Sequence, residues 1–287
     1  MAPMRHLLAP FALLSLALPS CITIHDSEFM QTCERAKGVE GKILGNLTWV
    51  EAREKLKPET SVMIPLGAES KEHGPHLRLA NDAFMACALS LQVTQQSDVI
   101  LAPIINYSYY PAFVEYAGST SLRLETARDL VVDVVRSLAH CGPRRFYVLN
   151  TGVSTVKPLE AARDLLAAEG ITLAFTDILA ATKPACAEVE QQPEGSHADE
   201  IETSMMLELA AWTVDMQKAT KDFPKGPGPL SPDPAAGACC SPSGIYGDAT
   251  LATKAKGEKI VECVVKSILA DIEKLRASPL PVAPTAK

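Results

Sequence analysis

Ionisable side chains are concentrated in one short stretch of the chain, directly after an apolar run. Residues 62–67 (VMIPLG) have the composition of a buried strand, and the run ends at Gly67. Ligands of open α/β sheets collect outside the carboxyl ends of the strands, so titratable groups at this point form a candidate site. The turn that follows the run contains Glu69, Lys71, Glu72, His73, His76 and Asp82.

Two residues of this turn have the chemistry of metal ligands. Imidazole nitrogens and carboxylate oxygens both bind divalent cations such as zinc, so His73 and Asp82 are a candidate ligand pair. Side chains of an extended segment alternate between its two sides, so an extended backbone would project Lys71 to the same side as His73. Asp82 stands where the next helix is predicted to begin. The stretch therefore predicts a site at the end of a strand.

Apolar runs alternate with segments of helical spacing along most of the chain. Strands are predicted at residues 62–67, 98–105, 145–150 and 171–177, and helices at 47–58, 83–93, 125–141, 158–169 and in a last segment ending near 275. This alternation predicts an α/β fold with a layered, parallel-type central sheet and helices on both faces, in one domain over residues 46–276. We expect Trp49 to pack in the core, residues 183–196 to form a loop and residues 224–236 to lack regular structure.

The amino-terminal residues have the pattern of an export signal. Arg5 precedes an uncharged apolar stretch at residues 7–18, which is too short to be a good transmembrane span. The stretch ends at LPSC, where Cys21 takes the place of the acceptor cysteine of a bacterial lipoprotein; ordinary signal-peptidase cleavage nearby is the alternative. We predict a signal peptide at 1–21, a tether or lead-in at 22–45 and a flexible proline-rich tail at 277–287. The mature protein is expected in a periplasm, free or anchored to the membrane by lipid at Cys21.

The charge of the chain bears on its partners. The formal net charge is -7, and the sequence contains no cluster of basic residues. Nucleic-acid-binding proteins carry basic patches, so the sequence gives no indication of that function. A small-molecule substrate is the expected partner.

Three segments resemble the motifs of the creatininase family, which includes creatinine amidohydrolase and formamide deformylases. Residues 71–82 (KEHGPHLRLAND) are similar to the family signature Glu-x-His-Gly-Pro-His-Leu-Pro-Leu-x-x-Asp. Residues 150–155 (NTGVST) stand where the family has Asn-Gly-His-Gly-Gly-Asn or a version with Glu in the fifth place. Residues 196–207 (SHADEIETSMML) resemble its segment His-Ala-Gly-x-x-Glu-Thr-Ser. The resemblance covers nearly all of the chain after residue 46 and implies the family's α/β fold.

The resemblance also implies a metal site, which this sequence has altered. Family members bind two metal ions, but Lys71 replaces a Glu ligand and Gly152 replaces a His ligand of the first ion, so that position is expected to be empty. The ligands of the second ion are retained as His73, Asp82 and Glu202. Three protein ligands with room for water are usual for a mononuclear catalytic centre. We expect one divalent metal per chain, zinc before manganese or iron.

Lys71 and His197 are the predicted catalytic residues. The ammonium of Lys71 is expected to take the place of the lost metal and to bind the freed oxygen of Asp82, a charge-assisted hydrogen bond worth roughly 1.5 to 3 kcal/mol. A desolvated Lys71 would also act in proton transfer. By resemblance, His197 is a candidate general acid or base. The alternative is that Lys71 points to solvent and that Glu69 or Glu72 shifts into the vacant ligand position.

Substrate-binding residues are predicted in two polar segments. Residues 106–122 are rich in aromatic and hydroxyl side chains, which is typical of a substrate-pocket wall, although a surface loop is an equal expectation for Tyr109 and Tyr110. Hydroxyls in the NTGVST turn can cap the following helix or hold a substrate oxygen. The candidates are Tyr116, Ser119, Asn150 and Ser154.

Three functions are compatible with these residues. The leading hypothesis is a metal-dependent hydrolase that cleaves a non-peptide C–N bond of a small amide. Both open-chain and cyclic amides are candidates. The alternative is a catalytically inactive relative that binds a small molecule in the same pocket, which the lost ligands favour. A scaffold protein that retains the motifs as remnants is the least favoured reading. The family precedent of a hexamer implies a homo-oligomer.

Overall fold

A four-stranded parallel sheet lies at the centre of the computed structural model, which describes residues 38–226 and 229–280. Its strands are β1 (Ser61–Leu66), β2 (Val99–Leu101), β3 (Arg145–Asn150) and β4 (Thr172–Phe175), in the order β2-β1-β3-β4. Every residue of β1 and β3 is buried. Continuous burial explains why these strands are uninterrupted apolar runs, because both faces of a parallel sheet are covered.

Seven α-helices surround the sheet within these ranges: α1 (Trp49–Lys55), α2 (Asn81–Gln96), α3 (Leu124–His140), α4 (Val156–Ala167), α5 (Ile178–Val189), α6 (Glu200–Leu209) and α7 (Lys254–Ala277). Met63 and Tyr147 face a hydrophobic cluster with α2, α5, α6 and α7. Ile64 and Phe146 face a second cluster with α3 and α4. Neighbouring residues of a strand thus point to opposite faces, each covered by helices. The predicted α/β architecture is confirmed.

The parallel sheet brings two turns of the predicted site together. β1 and β3 are direct neighbours in matched register, with Leu66 opposite Asn150, so both strands end at the same edge. Thr151 then donates its backbone N–H to the carbonyl of Leu66 at 3.2 Å. The Thr151 hydroxyl donates to the carbonyl of Asp82 at 3.3 Å, which ties the start of α2 to the end of β3. The edge formed by these strand ends carries the candidate site.

Trp49 does not pack in the core as predicted. Its side chain is 73% exposed and lies beneath the guanidinium of Arg53, 5.1 Å from the ring centroid. No residue of α1 is buried, because this helix of seven residues lies on the surface. The prediction was wrong because the position of a helix, and not its apolar content alone, decides which side chains are covered.

Residues 183–189 are helical, whereas a loop was predicted for 183–196. They belong to α5, which contains Pro184 in its interior at a typical cost of about 3 kcal/mol. Ala181 and Ala185 are buried in the core. The Asp177 carboxylate also caps the helix by accepting the N–H groups of Leu179 and Ala180. Packing and capping therefore retain a helix that the proline signal argued against.

Other predicted segments differ less. Strand 98–105 is shorter than predicted, although Ile105 still forms a parallel bridge with Leu66. Residues 224–236 were predicted to lack regular structure, but a short 3-10 segment, Pro234–Cys239, begins within them. A small antiparallel pair joins β5 (Lys221–Asp222) to β6 (Gly247–Asp248). Among the described residues, none of the helices has the length and apolar character that a membrane crossing requires. The predicted signal at 1–21 and most of the tether and tail lie outside the described residues.

Candidate metal centre and active site

Asp82 connects two side chains at the amino terminus of α2. Its Oδ2 atom lies 2.7 Å from Nζ of Lys71, and its Oδ1 atom lies 2.8 Å from Nε2 of His73. Lys71 is 5% exposed and Asp82 is 0% exposed. Burial by itself raises the pKa of the Asp82 carboxyl, but the Lys71 charge and His73 outweigh it and hold that pKa below its usual range. The predicted ion pair is present, and the alternative of a solvent-directed Lys71 is wrong.

His73 presents a lone pair to two carboxylates. Its Nδ1 lies 2.9 Å from the backbone carbonyl of Lys71, and a carbonyl can only accept, so Nδ1 carries a proton. In the neutral ring, Nε2 then has no proton, yet it faces Asp82 Oδ1 at 2.8 Å and Glu202 Oε1 at 3.4 Å. Three acceptors at such distances repel one another unless a cation or a second ring proton lies between them.

His197 is oriented in the same way by Glu72. Its Nε2 lies 3.0 Å from Oε2 of Glu72, whose other carboxylate oxygen accepts the backbone N–H of Gly74. A carboxylate only accepts, so Nε2 donates and Nδ1 is left with a lone pair, 3.8 Å from Oε2 of Glu202. Histidines that bind metals typically donate their second ring N–H to a carboxylate or a backbone carbonyl. His73 and His197 both have such a partner.

Glu202 is held at the amino terminus of α6 by two donors and a cap. Its Oε1 accepts from the side-chain amide of Asn81 at 3.0 Å, and its Oε2 accepts from the backbone N–H of Ala198 at 2.7 Å. Ala198 has φ 49°, a left-handed conformation that is costly for alanine. Asp199 caps α6 by accepting the N–H groups of Ile201 and Glu202, and burial raises the pKa of Asp199 to about 6. The cap fixes where the Glu202 side chain begins.

These side chains form one group with the composition of a metal site. Ligand atoms of His73, His197 and Glu202 all lie within 4.8 Å of one another. Two imidazole nitrogens and a carboxylate oxygen are a set that catalytic zinc sites use, so the residues fit one divalent cation. The predicted ligand set of His73, Asp82 and Glu202 differs from this group in one residue, since it has Asp82 where the group has His197. Asp82 lies beside this group with its Oδ2 bound to Lys71, while His197 joins His73 and Glu202.

The residues do not fit a second metal ion. Gly152 supplies no imidazole, and a Cβ atom there would lie 2.7 Å from Oγ1 of Thr155. The Lys71 ammonium occupies this side of Asp82 and lies 5.4 Å and 5.0 Å from the ring centroids of Tyr110 and Phe113. A positive charge held by a buried carboxylate and two aromatic faces repels a second cation.

A cavity of about 440 Å³ opens onto the group and is lined in part by Lys71, His197 and Glu202. Of the four predicted substrate-binding residues, Ser154 lines this cavity, and its hydroxyl donates to the carbonyl of Tyr109 at 2.8 Å. Ser119, Asn150 and Tyr116 are not among the lining residues. They support the surrounding backbone: Ser119 Oγ accepts the Glu72 N–H at 2.9 Å, Asn150 donates to the Gly152 carbonyl at 2.7 Å, and Tyr116 donates to the Ser241 carbonyl at 2.7 Å.

The sequence analysis missed three residues that shape the site. Glu72 was considered only as a replacement ligand, Asn81 was not considered, and Phe113 was treated as part of a pocket loop. The Phe113 ring packs on His197 with centroids 4.1 Å apart. The sequence signal available for Glu72 was its position directly before His73, a candidate metal ligand.

Comparison with known proteins places the chain in a family. The family model for creatininase, described as creatinine amidohydrolase, matches residues 45–272. The chain therefore belongs to the creatininase family of hydrolases, whose members are metal-dependent.

The individual relatives differ in their activities. The mycofactocin precursor peptide peptidase of Mycobacterium tuberculosis is 30% identical over 237 residues, which cover 78% of this chain and 88% of the relative. The creatinine amidohydrolase of Pseudomonas putida is 28% identical over 247 residues, 78% of this chain and 94% of the relative. Similarity alone therefore does not select a substrate.

Solved creatininase structures support the fold and a divalent metal. A creatininase structure with Mn superposes with a TM-score of 0.71 at 25% identity, covering 83% of this chain and 99% of the other. A variant creatininase of Zn-Zn type gives a TM-score of 0.69 at 25% identity, covering 82% and 98% of the two chains. The identity of the metal differs between these two relatives.

Proposed function

We propose that this protein is a mononuclear metal-dependent amidohydrolase acting on a small amide. The observation that carries the proposal is the convergence of two histidine lone pairs on Glu202, each fixed by a hydrogen bond from the other ring nitrogen. His73, His197 and Glu202 would hold one divalent cation, zinc, manganese or iron. The proposal assigns His197 to the ligand set, whereas the sequence analysis assigned it to proton transfer.

Each side chain then has a definable task. A bound cation supplies Lewis acidity, which polarises a carbonyl group and makes water a nucleophile at neutral pH. Lys71 lines the cavity with an ammonium that has three donors, one of them directed at Asp82. The other donors can stabilise negative charge on the carbonyl oxygen or donate a proton to the leaving nitrogen. Asp82 keeps Lys71 charged and in place.

Metal analysis of the purified protein tests the proposal. We expect about one zinc, manganese or iron ion per chain, release of ammonia or an amine from small open-chain amides, and ring opening of cyclic amides such as creatinine, which gives creatine as the product to be measured. Glu202→Ala should lose both the metal and the activity. Glu208→Ala is the matched control, because Glu208 lies on the same helix but pairs with Lys254 at 3.5 Å.

The competing function is a catalytically silent small-molecule-binding protein. The replacements at Lys71 and Gly152, which remove two ligands of the family's first metal, favour it. A wild-type protein that takes up none of these ions on titration, and hydrolyses none of the amides, would support the silent reading and reject the enzyme.

Two further proposals concern export, which is based on the amino-terminal sequence, and assembly, which is based on the family precedent. We propose a periplasmic location with lipid at Cys21, and a homo-oligomer. Fractionation of cells that express Cys21→Ser, and light scattering of the purified protein, test these two proposals. Retention of the variant in the membrane fraction or a monomer at micromolar concentration would contradict them.

A further inference from the structure

The cavity that contains His197 and Glu202 in its lining is also lined by apolar side chains. Leu179 and Val153 stand at its rim and are 47% and 49% exposed. An exposed aliphatic residue is ordinary by itself, but these two belong to the lining of the same cavity as Lys71 and Glu202. The apolar lining residues include Phe113, Val153, Ile178, Leu179, Ile201 and Met205.

Three of the hydroxyl groups that line this cavity already donate to backbone carbonyls. Thr182 donates to the carbonyl of Ile178 at 2.9 Å, and Ser154 donates to the carbonyl of Tyr109 at 2.8 Å. Thr151 shares its hydroxyl proton between the carbonyl of Leu66 at 3.2 Å and that of Asp82 at 3.3 Å. A hydroxyl has one proton to donate, so these three hydroxyls have no further proton for a polar ligand.

Leu179 is held in position and is not an incidental surface residue. Its backbone N–H donates to the Asp177 carboxylate at 3.1 Å in the first turn of α5. The adjacent Ile178 is 8% exposed and belongs to the core. The capped first turn of α5 therefore directs an aliphatic side chain at the rim of the cavity.

We infer that the substrate is an amide whose scissile bond carries an apolar substituent, an alkyl chain or aromatic ring, and that this substituent lies against Leu179 and Val153. The inference rests on the proposed function, which supplies the scissile amide. It adds that the substituent on this amide is apolar. The cavity volume of about 440 Å³ falls within the usual range for small-molecule sites and exceeds what an amide group alone would fill.

Binding of alkyl hydroxamic acids tests the inference without requiring turnover. The hydroxamate group ligates a protein-bound metal, while the chain from acetohydroxamic to octanohydroxamic acid extends the apolar part. Titration calorimetry with zinc-loaded protein should show affinity rising about fourfold per methylene over the first few carbons. Leu179→Asp should remove most of this dependence, so that the affinity it loses relative to the wild type grows with the length of the chain. An acidic residue in the first turn of α5 is compatible with the helix dipole, so the variant should fold.

Leu165→Asp is the matched control, since Leu165 is a helical leucine of 41% exposure outside the cavity lining. It should retain the full chain-length dependence. An affinity that does not change with chain length in the wild type, or equal effects of the two variants, overturns the inference. If the protein takes up no zinc, the series is repeated with acetamide, hexanamide and octanamide. A chain-length dependence lost in Leu179→Asp would then support the apolar site and reject only the hydrolase.

Discussion

Glu72 is the residue that decides which nitrogen of His197 faces the candidate metal site. Its carboxylate accepts from Nε2 of His197 at 3.0 Å and from the backbone N–H of Gly74. A Cβ atom added at Gly244 would collide with the carboxylate, so the absence of a side chain at Gly244 leaves the room that Glu72 occupies. The carboxylate thereby fixes the ring tautomer from outside the ligand set.

Glu72→Gln should weaken metal binding without removing a ligand. The amide is uncharged and can present its NH₂ group to His197, so the preference for a lone pair on Nδ1 is reduced. We expect a ten- to hundredfold loss of affinity, the usual cost of removing such a partner. Titration with Co²⁺, followed by its visible absorption, measures both the affinity and the geometry of the site.

Glu69→Gln provides the control for this change, because Glu69 lies in the same turn and bonds to Asn106 instead of a histidine. Its cobalt affinity and spectrum should match the wild type. An unchanged affinity in Glu72→Gln would show that His197 is oriented by other contacts, such as the Phe113 ring.

At the scale of elements, helix α6 positions Glu202 through its amino-terminal cap. Asp199 accepts the N–H groups of Ile201 and Glu202, both at 3.0 Å. The residue before it, Ala198, is left-handed and donates its N–H to the Glu202 carboxylate. The cap and the strained turn thus hold the backbone on both sides of the ligand.

Asp199→Ala should lower both the stability and the metal affinity, because the start of α6 loses two acceptor contacts. The loss of a cap typically costs about 1 kcal/mol. Asp177→Ala removes the amino-terminal cap of α5, in which the Asp177 carboxylate accepts the backbone N–H groups of Leu179 and Ala180. Urea unfolding and cobalt titration of both variants separate the effects.

We expect both cap variants to lose stability, Asp199→Ala the more because Asp199 also accepts from Gln192 at 2.7 Å, and we expect a loss of metal affinity in Asp199→Ala alone. If Asp177→Ala lowers the metal affinity as much, the effect is general destabilisation and the cap has no specific role in placing Glu202.

At the scale of the whole molecule, acid stability depends on His76. The ring is buried, and its Nε2 lies 2.8 Å from the Thr203 hydroxyl. Burial lowers the pKa of His76 from 6.5 to about 4. Between these values the unfolded chain binds a proton that the folded protein does not, so this contribution to stability falls as the pH drops from about 6.5 to about 4. Above that window, both states have a neutral ring and no stability is lost.

His76→Gln should be less sensitive to acid than the wild type in this window. The loss that His76 causes is on the order of 2 to 3 kcal/mol. Asp199 acts in the opposite direction, since its raised pKa means that the folded state binds the extra proton below about pH 6. We compare the free energy of unfolding of wild type and variant, measured with urea at pH 7 and pH 4.5. The contribution of Asp199 is present in both proteins and cancels in the difference. Parallel curves for the two proteins would contradict the assignment.

The sequence by itself determined the strands and the sequence positions of the site. Apolar runs predicted β1 and β3 because both faces of a parallel sheet are buried, and such strands have no polar alternation to obscure them. His73, Asp82 and Glu202 were selected as ligands by resemblance, because they match ligand positions of the family motifs. The Lys71–Asp82 ion pair followed from the charge that a missing metal leaves.

Only the tertiary structure decided how these groups pair. Glu72 and His197 are separated by 125 residues, and no local pattern predicts a hydrogen bond across that distance in sequence. The choice of His197 beside Glu202, the exposure of Trp49 and the helical conformation around Pro184 depend equally on which surfaces meet. Spacing along a chain specifies which side of a segment a residue faces, whereas packing of distant segments decides what lies opposite it.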